Sequence, residues 1–243
     1  MRHNGYYVEG EDRASRVSAL FSSIASKYDL INDLQSFFLH RYWKHYAVTL
    51  LKPQSHLKAL DICCGTGDVA ELLASKELTT VGLDFNQDML NLAKARSESF
   101  SIKFPGLKPA EYLLGDALSL PFGDASFDRV SMSYGLRNLA SFENGISEMM
   151  RVLKPGGRFT ILDFSRPNNQ TLRKLYFSYL SISVPLLGMI VAGDKSAYDY
   201  ILESLIKYPS PTTIEKFLLD HGADKVHCHS FLAGVMTIHS GQK

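Results

Sequence analysis

Asp61-Ile62-Cys63-Cys64-Gly65-Thr66-Gly67-Asp68 joins an apolar run to a helix-like run, and its glycines are spaced to bring backbone against a charged ligand. Glycine has no Cβ to clash, and the free N–H groups of a first helical turn attract anionic groups. About 20 residues further on, Val81-Gly82-Leu83-Asp84 ends a second apolar run in a carboxylate, where a ribose would be held. Gly65, Gly67 and Asp84 therefore predict a nucleoside-containing cofactor. Gly65-Thr66-Gly67 with Ala70 fits the loose GxGxxG/A pattern, which nicotinamide enzymes share. Asp116 follows a third apolar run. Its carboxylate could accept from an adenine amino group while the backbone N–H of Ala117 meets a ring nitrogen. Capping its own loop is the other use of such an aspartate.

The elements that must position these residues follow from periodicity. Apolar and aromatic residues recur at helical spacing from Ala14 to about Leu51, with Asp29 and Asn32-Asp33 as boundaries, which predicts two helices. Strands are predicted at Lys58–Ile62, Thr79–Leu83, Glu111–Leu114, Phe127–Ser133 and Arg158–Phe164. Helices are predicted at Asp68–Ser75, from an Asn86 cap through Arg96, and at Ser141–Leu153. Lys154-Pro155-Gly156-Gly157 reads as a helix stop and tight turn. Such alternation predicts a parallel sheet covered on both faces. Helices over Thr171–Leu187, Ser196–Lys207 and Thr212–His221 follow. Lys225–Phe231 and Val235–His239 then form a hairpin around Ala233-Gly234. In domain terms, residues 1–13 are a flexible N-terminus, 14–52 a helical cover and 53–243 one domain, with a second helical cover over about 171–207.

Composition excludes several classes. The 243 residues carry a net charge of +1, which gives no electrostatic footprint for nucleic acid. Cys63, Cys64 and Cys228 show no metal-ligand spacing and no disulfide framework, so no metal is expected and a cytoplasmic location is. The N-terminus lacks a secretory signal, and the apolar stretch Leu180 to Ala192 is short of the roughly 20 residues that span a bilayer.

In order, DICCGTGD, VGLDFNQDML, LLGDALSLPFGDASFD and RVLKPGGRF resemble the class I S-adenosylmethionine-dependent methyltransferases. With FSSIASKYDLINDLQSFFLHRYWK, SMSYGLRNL and AGVMTIHSGQK, the chain resembles the ubiquinone/menaquinone biosynthesis C-methyltransferases (demethylmenaquinone methyltransferase-like) from about Val17 to the C-terminus. The resemblance implies a Rossmann-like α/β fold: a seven-stranded, mostly parallel sheet with an antiparallel last strand, flanked by helices. It implies S-adenosyl-L-methionine as cofactor. Thr66 and the surrounding backbone would hold the methionine end, Asp84 the ribose, Asp116-Ala117 the adenine, and Ser133 a further contact. Cys63-Cys64 departs from the family's smaller residues, and tighter packing is expected there.

The implied substrate is a prenylated quinol, most simply demethylmenaquinol, with ubiquinone-pathway benzoquinols as the close alternative. A nicotinamide-dependent oxidoreductase is the distant one, and a non-catalytic module with a relic pocket another. Ring carbon attack on the sulfonium methyl needs alignment and a stabilised phenolate. Arg137 is the first candidate for that stabilisation, unless it ties its loop to a nearby acid; Asn138 would orient a water or the quinol oxygen. Tyr28 would close over the methionyl group. Asp29 or Asp33 would serve as base, or would cap a helix. The apolar stretch from Leu172 to Ala192 reads as a cover over the prenyl chain, a peripheral membrane contact at the inner face of the cytoplasmic membrane, or a homodimer or core helix.

Overall fold

The computed structural model describes residues 11–25, 28–167, 169–191, 204–205 and 208–243. The predicted helix at Ser196–Lys207 falls almost wholly outside them. Seven strands form one sheet in the order β3-β2-β1-β4-β5-β7-β6. They are β1 (Lys58–Ile62), β2 (Thr79–Asp84), β3 (Glu111–Leu114), β4 (Phe127–Ser133), β5 (Leu153–Phe164), β6 (Lys225–Phe231) and β7 (Met236–Gln242). All neighbours are parallel up to β5. β7 runs antiparallel to both β5 and β6, so it is the one reversed strand. The chain order reverses beside β1, and β1 and β4 are buried along nearly their whole length. Their carboxyl ends open the crevice where α/β sheets bind ligands.

Two helices were expected ahead of β1 and three form: α1 (Glu11–Ile24), α2 (Tyr28–Ser36) and α3 (Leu39–Leu50). The acids read as boundaries, Asp29 and Asp33, lie inside α2. The break falls at Phe37 and Phe38, both in the left-handed region with φ of 49° and 63°. Burial of the aromatic and aliphatic faces on either side supports a conformation that propensity alone does not signal. The first helix also starts at Glu11, inside the segment read as a flexible terminus.

α4 (Asp68–Ala74) and α5 (Gln87–Lys103) follow β1 and β2. Asn86 caps α5 by accepting from the Met89 N–H at 2.9 Å, and Met89, Leu90 and Ala93 are buried. The helix runs seven residues past Arg96 because Phe100 is buried on the same face. After α6 (Phe142–Val152) the expected stop and turn are a bulge inside β5. Phe127 pairs with Leu153 but Arg129 pairs with Arg158, so the offset grows from 26 to 29 residues and three extra residues are absorbed. α7 (Gln170–Val191) and α8 (Pro211–Asp220) complete the described helices.

His239 sits in β7, 1% exposed, with its Nε2–H donating to the Pro211 carbonyl at 3.2 Å. Burial pushes its imidazole down to about 4. Between that value and its ordinary one near 6.5, the unfolded chain holds the proton and the native chain does not. Stability should therefore fall as pH drops through this window, by at most about 1.4 kcal/mol per pH unit from this group. In His239→Gln, which keeps a donor and does not titrate, urea denaturation at pH 4.5 and 7 should show a smaller difference than in the parent chain.

Candidate active site

The glycine turn is built as its sequence suggests. Gly65 and Gly67 have φ of +54° and +84°, and Gly67 precedes the first turn of α4. A Cβ on Gly67 would lie 2.3 Å from the Tyr112 hydroxyl, so the turn excludes any side chain there. Asp84, at the end of β2, accepts from the Gly65 N–H at 2.8 Å and from the Asn86 N–H at 3.0 Å. Burial raises its pKa, and these backbone donors partly counter the rise. One carboxylate thus locks the turn to the next strand. Beneath them Asp61, wholly buried, accepts from Ser131 Oγ at 2.7 Å across the β1–β4 ladder, and burial pushes its carboxyl up to about 7.

Two cavities lie at this sheet edge. The smaller is bounded by Cys63, Gly65, Asp84, Phe85, Met89, Ser133, Tyr134 and Gly135, and roofed by Phe21 of α1 and Tyr28 of α2. The buried oxygens of Ser133 and Tyr134 have no hydrogen-bond partner among the described residues. Buried polar atoms left unpaired are uncommon, and here two of them line a glycine-rich hollow beside a strand-end carboxylate. Those features suit a cofactor with a polar, nucleoside-bearing body. Cys63 packs directly under Gly135, where an added Cβ would meet it at 2.5 Å.

The larger cavity, about 250 Å³, lies between the N-terminal cover and α7. Its walls are mainly apolar and aromatic, including Phe21, Trp43, Phe164, Tyr176 and Tyr179. Tyr28, Asn138 and Phe21 line both cavities and so mark where they adjoin. Asn138 is held by its Nδ2–H donating to the Tyr134 carbonyl at 3.0 Å.

Arg137 lines the larger cavity and is ion-paired with Asp163 at the end of β5. The Asp163 carboxylate also accepts from the Arg137 backbone N–H at 3.0 Å, and its own exposure is 1%. The guanidinium lies 5.0 Å from the Phe164 ring centre and 5.8 Å from that of Tyr134. The loop-tying use weighed in the sequence is therefore present, and it fixes the cation in the cavity wall. Asp163 was not among the residues singled out. A signal for it existed, since it ends an apolar strand run as Asp84 does.

Other predicted residues sit elsewhere. Asp33 lines neither cavity. Arg41 clasps its carboxylate through Nε and Nη2, each at 2.7 Å, and His40 adds a contact at 2.8 Å. Led by the Arg41 bonds, these contacts hold its pKa well below the usual carboxylate range, the wrong direction for a proton acceptor. Asp29 accepts from Thr66 Oγ1 at 3.0 Å and from Arg96, which also pairs with Asp68. Lys44 reaches Asp68 at 2.8 Å. Thr66, expected at the methionine end, thus belongs to a polar seam joining the cover to the glycine turn. Asp116 is exposed and its carboxylate accepts from the Leu118 N–H at 2.9 Å, the loop-capping arrangement. Ala117 is buried in the main core. Among the described residues no cluster of three or more His, Cys, Asp or Glu could hold a metal ion.

The sheet order, glycine turn and strand-end acids define a class I S-adenosylmethionine-dependent methyltransferase. The solved structures it resembles bear this out at the level of fold. A SAM-dependent methyltransferase from Thermotoga maritima aligns with 93% of the chain and 99% of its own at a TM-score of 0.63 and 19% identity. Phosphoethanolamine N-methyltransferase 2 of Haemonchus contortus, in complex with S-adenosyl-L-methionine, gives 0.60 at 17% identity over 83% of the chain and 52% of its own. The model of the ubiE/COQ5 methyltransferase family matches residues 9–243, and the chain belongs to that family. Among similar proteins is the ubiquinone/menaquinone biosynthesis C-methyltransferase of Pseudomonas syringae pv. tomato, 37% identical over 99% of this chain and 94% of the relative. The protein of the same name from Shewanella sediminis is 34% identical over 99% and 96%. S-adenosylmethionine is accordingly the cofactor, and the oxidoreductase alternative falls away.

Proposed function

We propose that this methyltransferase C-methylates a prenylated quinol, and that the native substrate is demethylmenaquinol. One observation carries the reading: an apolar, aromatic-walled cavity adjoins the glycine-turn cavity at Tyr28 and Asn138, with a buried-side cation, Arg137, in its wall. The aromatic walls offer stacking area for a two-ring head, which favours the naphthoquinol over a single-ring ubiquinone precursor. Asp84 and Ser133 are assigned to the cofactor, with Gly65, Thr66 and Gly67 shaping its cradle and Asp116-Ala117 at the adenine end. Bound there, S-adenosylmethionine supplies an electrophilic methyl group. The residues of this chain supply the rest. Arg137 lowers the pKa of the phenol beside the reacting carbon, Asn138 orients its oxygen, and Tyr28 closes the junction against water. The ring carbon would take the methyl group that S-adenosylmethionine supplies, and its ring proton would leave to solvent. Asp33 has no part in this scheme beyond holding α2 against α3.

The cavity mouth supports a peripheral membrane contact for loading the lipid-tailed substrate. Phe37, Leu39, Tyr179 and Leu232 line the cavity and are also exposed, Phe37 by 77%. Leu172, Leu175, Tyr179 and Ile182 extend this as an exposed stripe along α7, and Leu30 and Leu34 along α2. From Leu30 to Tyr42 and from Asn169 to Ile182 no acid is exposed, whereas Arg41 and Lys174 are. Such a face suits an anionic bilayer surface. No helix among the described residues is long and apolar enough to cross a membrane. A homodimer through the same stripe is the competing use.

The test is methyl transfer from labelled S-adenosylmethionine to chemically reduced, short-tailed demethylmenaquinol, beside the demethylated benzoquinol. Product from the naphthoquinol at the higher kcat/KM is expected. Turnover of the benzoquinol alone would shift the assignment to the ubiquinone ring, and turnover of neither would remove it.

A further inference from the structure

Eight buried side-chain polar atoms lack a hydrogen-bond partner among the described residues. Two belong to the cofactor cavity, as described above. Three more, Asn32 Nδ2, Gln35 Nε2 and the Tyr176 hydroxyl, belong to residues lining the larger cavity. A buried donor without a partner costs about 1–3 kcal/mol, so three around one apolar chamber imply a ligand that repays them. Asn32 and Gln35 stand on the stripe of α2 that also carries Tyr28 and Ile31, and all four line the chamber. At 1.5 Å rise per residue they lie roughly 6 and 10 Å further along α2 than Tyr28, away from the cavity junction. Tyr176 reaches the same chamber from α7, so both helical covers place a partnerless polar atom on a residue of its wall.

We propose that Asn32, Gln35 and Tyr176 form a distal recognition subsite for the ring oxygen farther from the methyl donor. The inference rests on the quinol reading of the cavity and deepens it. Arg137 and Asn138 face the near oxygen, and the amide N–H groups and phenol donate to the far one. The subsite selects rings with a hydrogen-bond-accepting oxygen at each end over rings with one. Asn32, Gln35 and Tyr176 are positioning and specificity residues, since they touch no reacting atom.

Trp43 is the chain's single tryptophan and lines the same cavity, so its fluorescence reports occupancy. The experiment titrates the full chain, anaerobically and with S-adenosylhomocysteine present, with 1,4-naphthalenediol and 1-naphthol. The parent chain should bind the diol about tenfold more tightly, the worth of one hydrogen bond to a buried donor set. Asn32→Leu and Gln35→Leu together should bring that ratio to near one while leaving 1-naphthol binding and the S-adenosylhomocysteine Kd unchanged. Tyr176→Phe, the smaller change, should reduce the ratio part-way. The ligand-free melting temperature of each variant should hold or rise, because an unpaired buried donor has been removed; a scaffold role would lower it. An unchanged diol-to-naphthol ratio in all variants overturns the subsite and leaves the cavity assignment standing. No quenching by either compound in the parent chain overturns both.

Discussion

Arg137→Ala should cost at least about 100-fold in turnover, the scale seen when one fixed donor to a developing anion is removed. It should also destabilise the fold by about 3–5 kcal/mol. The second effect follows from Asp163, whose carboxylate is almost fully buried and would lose its ion-pair partner. Lost turnover could then reflect lost structure, so a second variant is needed. Arg137→Met with Asp163→Asn removes both charges. The aspartate satisfies the Arg137 backbone N–H through Oδ2 at 3.0 Å and the Phe164 backbone N–H through Oδ1 at 2.8 Å, and the single oxygen of the asparagine keeps one of these two bonds. Part of the stability should return and the turnover should not. S-adenosylhomocysteine binding, followed by calorimetry, should stay within a few-fold of the parent value, because Arg137 is absent from the cofactor cavity. Near-normal turnover in the double variant would show that the Arg137–Asp163 pair only ties the loop to β5.

Asp84→Ala should act on the other substrate. Carboxylate bonds to two ribose hydroxyls are charge-assisted, and removing them would weaken cofactor binding by roughly 100- to 10,000-fold at about 1.5–3 kcal/mol each. The same carboxylate now satisfies the Gly65 and Asn86 N–H groups, so the variant also loosens the glycine turn and the start of α5. The expected pattern is the reverse of that at Arg137: a large rise in the S-adenosylhomocysteine Kd, with quenching of Trp43 by naphthol analogues little changed. A cofactor Kd within threefold of the parent would sink the ribose assignment.

The residues that were legible in the sequence share a property. Gly65, Gly67 and Asp84 announce themselves through short-range pattern: a strand run, a turn only glycine allows, a carboxylate at the next strand end. The order of strands and helices was legible for the same reason, since alternating apolar periods record which faces are buried. The terminal hairpin showed as a second β-rich run following the first through Ala233-Gly234, while the reversal of its last strand against the sheet was implied by the family resemblance. The failures were also local in origin. Propensity does not foresee that Phe37 and Phe38 adopt positive φ, nor that the Lys154–Gly157 signal is absorbed as a bulge, because tertiary burial outweighs both preferences.

What composition, periodicity and spacing determined by themselves was the alternation of strands and helices, the glycine turn at a strand end and the expectation of a nucleoside-bearing ligand. The tertiary structure alone decided how the polar groups are paired and where the aromatic-walled cavity lies. Arg137 meets Asp163 across 26 residues and Thr66 meets Asp29 across 37. Asp33 spends its charge on Arg41 and His40, while Asn32 Nδ2 and Gln35 Nε2 in the cavity wall find no partner among the described residues. Such choices depend on strand register and on how the N-terminal helices dock over the sheet. A side chain's reach across that packing is not encoded in the spacing of residues along the chain.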